Sequence, residues 1–284
     1  MRTHRIFSFS ALLTLSLATA YCRDSFECND DKFVGAHLNC QFKFENGDSY
    51  RGRAINGVKE GQGKYFYADG GQYQGQFLNG EGNGIGTFRY SNGDKYVGKV
   101  KNGKRHGTGS YHFAATSDIY KGNWINDLEN GQGIYRWIGE GPHKGDVFIG
   151  THMNGKATGR GYMLFANGDK YLGDFFDGSF DGSGTYYFLD KKKDVFKYSG
   201  QFSKNKRHGK GQHFFRNGDI YTGEFYEEWE HGNGILKFSN GESYVGEFNI
   251  GMRNGIGSLL DRNGKIISRG EWFNNQIIRS IEIL

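Results

Sequence analysis

The chain has 284 residues, a formal net charge of +5, 47 Gly, 24 Phe, 18 Tyr, 4 Trp, a single Pro and 3 Cys, a length that fits one or two domains. So much Gly with one Pro and no three-residue period excludes collagen-like and Pro-rich disordered chains. A chain that uses Gly and large rings in place of Leu, Ile and Val does not suit a helix-on-sheet core, because Gly costs helix stability, but it suits strands and turns.

Taken in chain order, the first segment is residues 1–20. Arg2, His4 and Arg5 precede an apolar run from Ile6 to Leu17 and the small-residue stretch Ala18-Thr19-Ala20, the layout of a secretory signal peptide. The run is shorter than the roughly 20 residues a membrane-spanning helix needs; an uncleaved anchor is the alternative. The expectation is a soluble, exported mature chain beginning near Tyr21, whether secreted, periplasmic or luminal. Residues 21–39 form a lead-in containing Cys22 and Cys28, with Cys40 just beyond. An oxidising compartment favours one bridge among the three. Cys28 with Cys40 is preferred because Cys22 lies near a terminus, although spacing does not fix the connectivity. Tyr21, a large residue before Cys22, argues against a lipid anchor there.

From residue 40 to 275 the chain repeats itself. A ring-x-Gly triplet starts at Tyr50, Tyr73, Tyr96, Tyr120, Phe148, Tyr171, Tyr198, Tyr221 and Tyr244, with a basic spacing of 23 residues and additions at three joints. Eleven residues after each ring comes Gly-x-Gly, from Gly61-Gly63 through Gly255-Gly257. A degenerate copy begins at Ser268-Arg269-Gly270 and keeps Trp272, Phe42 and Phe44 form a half repeat ahead of the array, and residues 276–284 read as a capping strand. Within each copy apolar and polar residues alternate, as in Tyr73, Gly75, Phe77 against Gln74 and Gln76, which predicts strands. Asn-Gly pairs such as Asn79-Gly80 and Asn92-Gly93 mark the turns. The predicted fold is all-β, an elongated single-layer antiparallel sheet of tandem 23-residue hairpins. At about 4.8 Å per strand the ribbon would extend roughly 85 to 90 Å. The glycines on the ring face predict a shelf on which a ring lies flat. The joints at Ile138–Asp146, around Pro142, and at Leu189–Lys197 predict longer hairpin loops.

Segments such as Tyr96-Val-Gly-Lys-Val-Lys-Asn-Gly-Lys-Arg-His-Gly-Thr-Gly and Tyr198-Ser-Gly-Gln-Phe-Ser-Lys-Asn-Lys-Arg-His-Gly-Lys-Gly resemble the MORN (membrane occupation and recognition nexus) repeat. The resemblance covers roughly residues 40–275. It implies the same ribbon of hairpins and non-enzymatic roles: scaffolding, homodimerisation and attachment to anionic phospholipid. Where such proteins are enzymes a separate domain carries the activity, and no stretch here is left over to be one. Most well-known relatives are intracellular, so the signal layout is a departure that argues against cytoplasmic-leaflet lipid as the partner.

No catalytic residue, metal site or cofactor is expected. His106, His208 and His231 share one repeat position; copies about 9.6 Å apart could not share an ion with N ligands at about 2.0–2.1 Å, so they read as turn-stabilising polar residues. Asp177-Gly178-Ser179-Phe180-Asp181-Gly182 starts like a calcium loop but has Phe188 where the bidentate Glu belongs. Asp48, Asp94, Asp169 and Asp219 read as exposed turn residues, unsuited to acid catalysis. Basic and acidic residues interleave, and no nucleic-acid partner is expected. Two candidate surfaces remain. Lys99, Lys101, Lys104, Arg105, Lys204, Lys206 and Arg207, with Lys191, Lys192 and Lys193, would gather on one edge and meet anionic lipid or acidic polysaccharide. Phe77, Phe88, Tyr90, Phe113, Trp124, Trp137, Phe175, Phe188, Phe225 and Phe238 form an aromatic face that one layer cannot bury completely, and which curvature, a second copy or a ligand must cover. The leading expectation is a protein-interaction scaffold that binds an unidentified protein or itself; the alternative is a module for anionic lipid or polysaccharide surfaces.

Overall fold

A computed structural model of the chain describes residues 25–27, 36–189 and 195–282. The signal segment, Cys22, Cys28 and Lys191–Lys193 lie outside them. The described residues form one sheet of 22 strands. Two lead-in strands, β1 (Ser25–Glu27) and β2 (Ala36–Lys43), precede ten hairpins. The first four are β3 (Ser49–Ile55) with β4 (Val58–Phe66), β5 (Gln72–Leu78) with β6 (Glu81–Arg89), β7 (Lys95–Lys101) with β8 (Lys104–His112), and β9 (Ile119–Ile125) with β10 (Leu128–Arg136). The next three are β11 (Val147–Met153) with β12 (Lys156–Leu164), β13 (Lys170–Phe176) with β14 (Ser179–Leu189), and β15 (Val195–Ser203) with β16 (Lys206–Phe214). The last are β17 (Ile220–Tyr226) with β18 (Trp229–Lys237), β19 (Ser243–Asn249) with β20 (Met252–Leu260), and β21 (Ile266–Phe273) with β22 (Gln276–Ser280). Every strand pairs antiparallel with its sequence neighbours. The predicted meander is therefore the observed one.

The two kinds of Asn-Gly make different turns. At Asn56-Gly57 φ is 50° and 77°, and at Asn79-Gly80 it is 50° and 84°, the two left-handed residues of a type I′ hairpin. At Asn92-Gly93 only the Gly is left-handed. There the Tyr90 N–H donates to the Asp94 carbonyl and the Gly93 N–H to the Tyr90 carbonyl, which makes a three-residue loop closed by a left-handed Gly. The Asn92 side chain accepts from the Asp94 N–H and donates to its carboxylate.

The glycine shelf is real. A Cβ built at Gly63 would fall inside the Tyr50 ring, and the same holds at Gly211 for Tyr198. Each leading tyrosine then donates its hydroxyl to a carbonyl three residues on: Tyr50 to Arg53 at 2.6 Å, Tyr96 to Lys99 at 2.7 Å, Tyr198 to Gln201 at 2.8 Å. All eight are fully buried, and a phenylalanine or tryptophan four residues on meets several of them edge-on, as Phe225 meets Tyr198 and Tyr221. The buried rings fall into two clusters, Cys40 to Trp124 and Phe148 to Trp272, with half-buried Tyr135 packed against both. The division lies at the fifth repeat, beside the Pro142 joint; the second long joint divides nothing.

Cys40 is disulfide-bonded. Its partner lies outside the described residues, as do Cys28, the partner preferred from sequence, and Cys22.

Candidate binding surfaces

The aromatic face is largely closed by the chain's own rings. Phe77, Phe88, Trp124, Phe175 and Phe225 are buried, whereas Tyr90, Phe113, Trp137, Phe188 and Phe238 are half-buried. The second group occupies one row, seventeen residues after the leading rings of five repeats.

The expected basic edge is not brought together. Lys99 and Lys101 lie exposed on the opposite, outer face of the sheet, Lys104 flanks a hairpin turn, and Lys204 is itself the first left-handed residue of one, with φ of 49°. Lys206 is paired with Glu227. Arg105 and Arg207 turn inward, nine residues after their leading tyrosines, and stack on rings. The Arg105 Cζ is 4.4 Å from the Trp124 centroid and 4.8 Å from that of Tyr111, and its guanidinium reaches the Asp127 carboxylate and carbonyl. Arg207 lies 5.5 Å from Phe225 and bonds Glu228. The periodicity of two assigns these arginines to the ring face; reading them as one charged edge ignored that alternation.

The outer face of the first four repeats carries the basic surface instead. Arg51, Arg53, Arg89, Lys99, Lys101, Lys121 and Arg136 are all exposed there, none in an ion pair among the described residues. The same face, together with the hairpin ends, exposes large apolar groups: Ile149, Leu172, Phe176, Tyr226, Trp229 and Phe273, of which Phe176 is 65% exposed. Tyr226 and Trp229 are cross-strand partners.

Two other expectations are corrected. His106, His208 and His231 sit inside strands, not in turns, each followed by a left-handed glycine with φ between 58° and 60°. That is a β-bulge geometry, and the Nδ1 atoms of His106 and His208 are buried without a partner. Asp94 is buried rather than exposed, accepting from the Tyr111 hydroxyl at 2.7 Å and the Ala114 N–H at 2.7 Å. Burial alone would raise its pKa, but these bonds and the Asn92 amide hold it below the usual carboxylate value. Asp48, Asp118 and Asp169 make the same stitch to Tyr65, Tyr135 and Tyr186, so these carboxylates are structural. Asp177-Gly178, read as a calcium-loop start, is a type I′ turn with φ of 51° and 84°. Among the described residues no three His, Cys, Asp or Glu side chains converge as a metal site.

The fifth repeat breaks the pattern in four places. Phe148 replaces tyrosine, His152 a following apolar side chain that is a ring in six of the eight other copies, Ala157 an inward position that is arginine or lysine in four of them, and Met163 a position that is aromatic or histidine in six. The result is a cavity of about 620 Å³ on the ring face. His152 is buried, wedged edge-on between Tyr120 and Phe148, with its Nδ1 unpartnered among the described residues. Burial pushes its pKa down to about 4 against a backbone bond to Gly150. In the preceding repeat Glu129 faces inward, its carboxylate with no hydrogen bond or ion pair among the described residues, and burial raises its pKa to about 7 despite the charge of Arg105. Neither residue was singled out from sequence; for His152 the signal available was a polar side chain where all eight counterparts are apolar, whereas Glu129 shares its residue type with Glu230 and carried no such signal.

An open, single-layer antiparallel sheet built mainly of tandem ring-x-Gly hairpins defines a repeat protein whose ligands can meet it along a face or edge. The family model for the MORN repeat matches nine segments, 50–72, 73–95, 96–115, 120–139, 148–170, 171–191, 198–220, 221–243 and 244–266, and the chain belongs to the MORN-repeat family. It is 31% identical over 97 residues to Alsin of Rattus norvegicus, an overlap covering 32% of this chain but 5% of Alsin. Among solved structures it is similar to the TCP10 domain of Danio rerio CPAP, with a TM-score of 0.39 and 11% identity over 82% of this chain and 99% of that domain. The TCP10c domain of Drosophila melanogaster Sas-4 follows at a TM-score of 0.26 and 15% identity, covering 80% of this chain and 99% of that one.

Proposed function

We propose that the chain is an exported, non-enzymatic scaffold that binds protein, another copy of itself included, through the outer face and hairpin ends of its sheet. The observation that carries this reading is the contrast between faces: outside the fifth repeat the ring face is largely closed by its own side chains, while Phe176, Tyr226, Trp229 and Phe273 stand 52–65% exposed on the other side, more apolar surface than a solvated face needs. Export is supported by the layout of residues 1–20. The test places a photo-crosslinking amino acid at Phe176 or Trp229 in the chain expressed in its own secretory setting. Discrete adducts are expected at these positions. Crosslinking no stronger than at Ser199 or Thr222, on the polar strip of the same face, overturns the reading.

A second reading rests on the unpaired basic residues of the first four repeats. An anionic lipid or acidic polysaccharide surface would meet Arg51, Arg53, Lys99, Lys101 and Lys121. Flotation with anionic but not neutral vesicles, or retention on an acidic polysaccharide, lost at high salt and in a charge-reversed variant of these five, would favour it. Equal binding by that variant would count against it.

A further inference from the structure

The ring face binds cations within its own chain, and it does so by one recurring arrangement. Where the side chain nine residues after the leading tyrosine is a cation, it enters a cage of three elements: the half-buried ring before that tyrosine, the side chain fifteen residues after it, a ring around Lys59 and Arg105 and Leu259 beside Arg253, and the buried ring of the next hairpin. Lys59 lies 5.4 Å from Phe44, 4.4 Å from Tyr65 and 5.8 Å from Phe77. Arg105 lies 5.9 Å from Tyr90, 4.8 Å from Tyr111 and 4.4 Å from Trp124. Arg253 lies 5.9 Å from Phe238 and 4.5 Å from Trp272. The second turn residue of the next hairpin completes the cage with its carbonyl, which accepts from Arg105 at Asp127 at 2.7 Å and from Arg253 at Asn275 at 2.8 Å.

In the fifth repeat the walls remain but the cation is gone. Ala157 occupies the arginine position, and the cavity beside it is lined by Trp137, Met163, Phe175 and Gly178, which stand where Tyr90, Tyr111, Trp124 and Asp127 stand around Arg105. Trp137 is fixed in its place by the same loop bond as Tyr90, its N–H donating to the Asp146 carbonyl. We infer that this cavity receives a guanidinium group from outside the chain, an arginine side chain of a bound protein, in the place that Arg105 and Arg253 fill from within.

The flanks agree with that choice. The preceding inward position is Glu129, a carboxylate without a partner among the described residues, beside Tyr135, which also lines the cavity; the following one is Phe180, which adds a ring. The second repeat also has a small residue at this position, Gly82, but there the flanking positions are the cations Lys59 and Arg105 and the next hairpin offers Val100 instead of a ring. The basic side chains that line the Ala157 cavity are instead held by carboxylates, Lys156 by Asp177 and His143 by Asp146. The inference does not depend on the outer face binding protein, because the two surfaces lie on opposite sides of the sheet.

The test titrates the mature chain with arginine capped at both termini, following the Trp137 indole resonance by NMR, with capped citrulline as the uncharged isostere. A saturable shift is expected with arginine, and binding about tenfold weaker with citrulline, the scale of a desolvated cation–π contact. Ala157→Arg, which supplies the guanidinium from the repeat's own position, is expected to abolish the shift and raise Tm. Trp137→Leu, checked for an intact fold by circular dichroism, is expected to weaken binding by a similar factor. Equal response to citrulline, absence of a shift at millimolar arginine, or unchanged binding in Ala157→Arg overturns the inference.

Discussion

The seventh repeat and the fifth are built on the same backbone and differ in what fills it. In the seventh, Tyr198 lies flat on Gly200 and Gly211, donates to the Gln201 carbonyl, meets Phe202 edge-on and is covered by Arg207. In the fifth, Phe148 has no hydroxyl to donate, His152 takes the place of Phe202, and Ala157 leaves the place of Arg207 empty. The comparison teaches that the repeat is a closed unit of four side chains. Loss of all four together turns a stretch of structural ribbon into a cavity and divides the ring packing in two.

The largest effect that tests this closure is steric. Gly211 and Gly161 occupy equivalent shelves, and neither needs a left-handed φ, so a methyl group at either is judged by the ring above it. Gly211→Ala puts a Cβ into a ring pinned by its hydroxyl, and the expected loss is about 3 kcal/mol or more. Gly161→Ala meets Phe148 at 2.6 Å, but that ring has no tether and borders a cavity into which it can shift, so about half that loss is expected. Urea unfolding of the two variants measures the difference. Equal losses would show that the fifth repeat is as tightly closed as the others.

The next effect is a pH dependence of opposite sign at two neighbouring inward positions. Glu129 has a folded pKa raised to about 7 from 4.5; the folded state holds the proton more tightly, so stability rises as pH falls from 7 towards 4.5. His152 has a folded pKa lowered to about 4 from 6.5; its stability is present above 6.5 and is lost as pH falls through that window. Each is worth at most about 3 kcal/mol, less for partly exposed Glu129, and in the native chain they oppose each other. Between pH 7.5 and 5, Glu129→Gln is therefore expected to lose stability on acidification and His152→Phe to gain it, relative to the native chain. Midpoints of urea unfolding at three pH values decide it; parallel curves for both variants would break the assignment.

The fold was legible because a repeat tests itself: nine copies of ring-x-Gly, eight of them Tyr-x-Gly, with Gly-x-Gly at one offset leave one geometry in which rings lie on glycines. The turns were legible in position but not in kind, since Asn79-Gly80 and Asn92-Gly93 read alike and differ in the φ of the Asn and in the hydrogen bonds that close the loop. Surfaces were less legible. Charge was read as exposure, which misplaced Arg105 and Arg207, because a long side chain at an inward position can lay its guanidinium on rings while its stem stays buried. The cavity was invisible to a method that looks for what recurs: it consists of the places where Phe148, His152, Ala157 and Met163 do not.

The smallest expected effect restores one of those four. Phe148→Tyr would place a hydroxyl where eight other copies have one, facing the carbonyl of Thr151 across the same bulge that follows Gly150. The expected gain is that of one buried hydrogen bond, about 0.5 to 1.5 kcal/mol, read as a rise of about 2 °C in Tm and as slower amide exchange in β11 and β12. The reverse change, Tyr198→Phe, should cost slightly more than that, because it leaves the Gln201 carbonyl facing a ring edge with no donor. The asymmetry is informative. If Phe148→Tyr gains nothing while Tyr198→Phe loses the expected amount, the Phe148 ring does not sit over its glycines as the other eight do, and the fifth repeat differs from its neighbours in ring position as well as in chemistry.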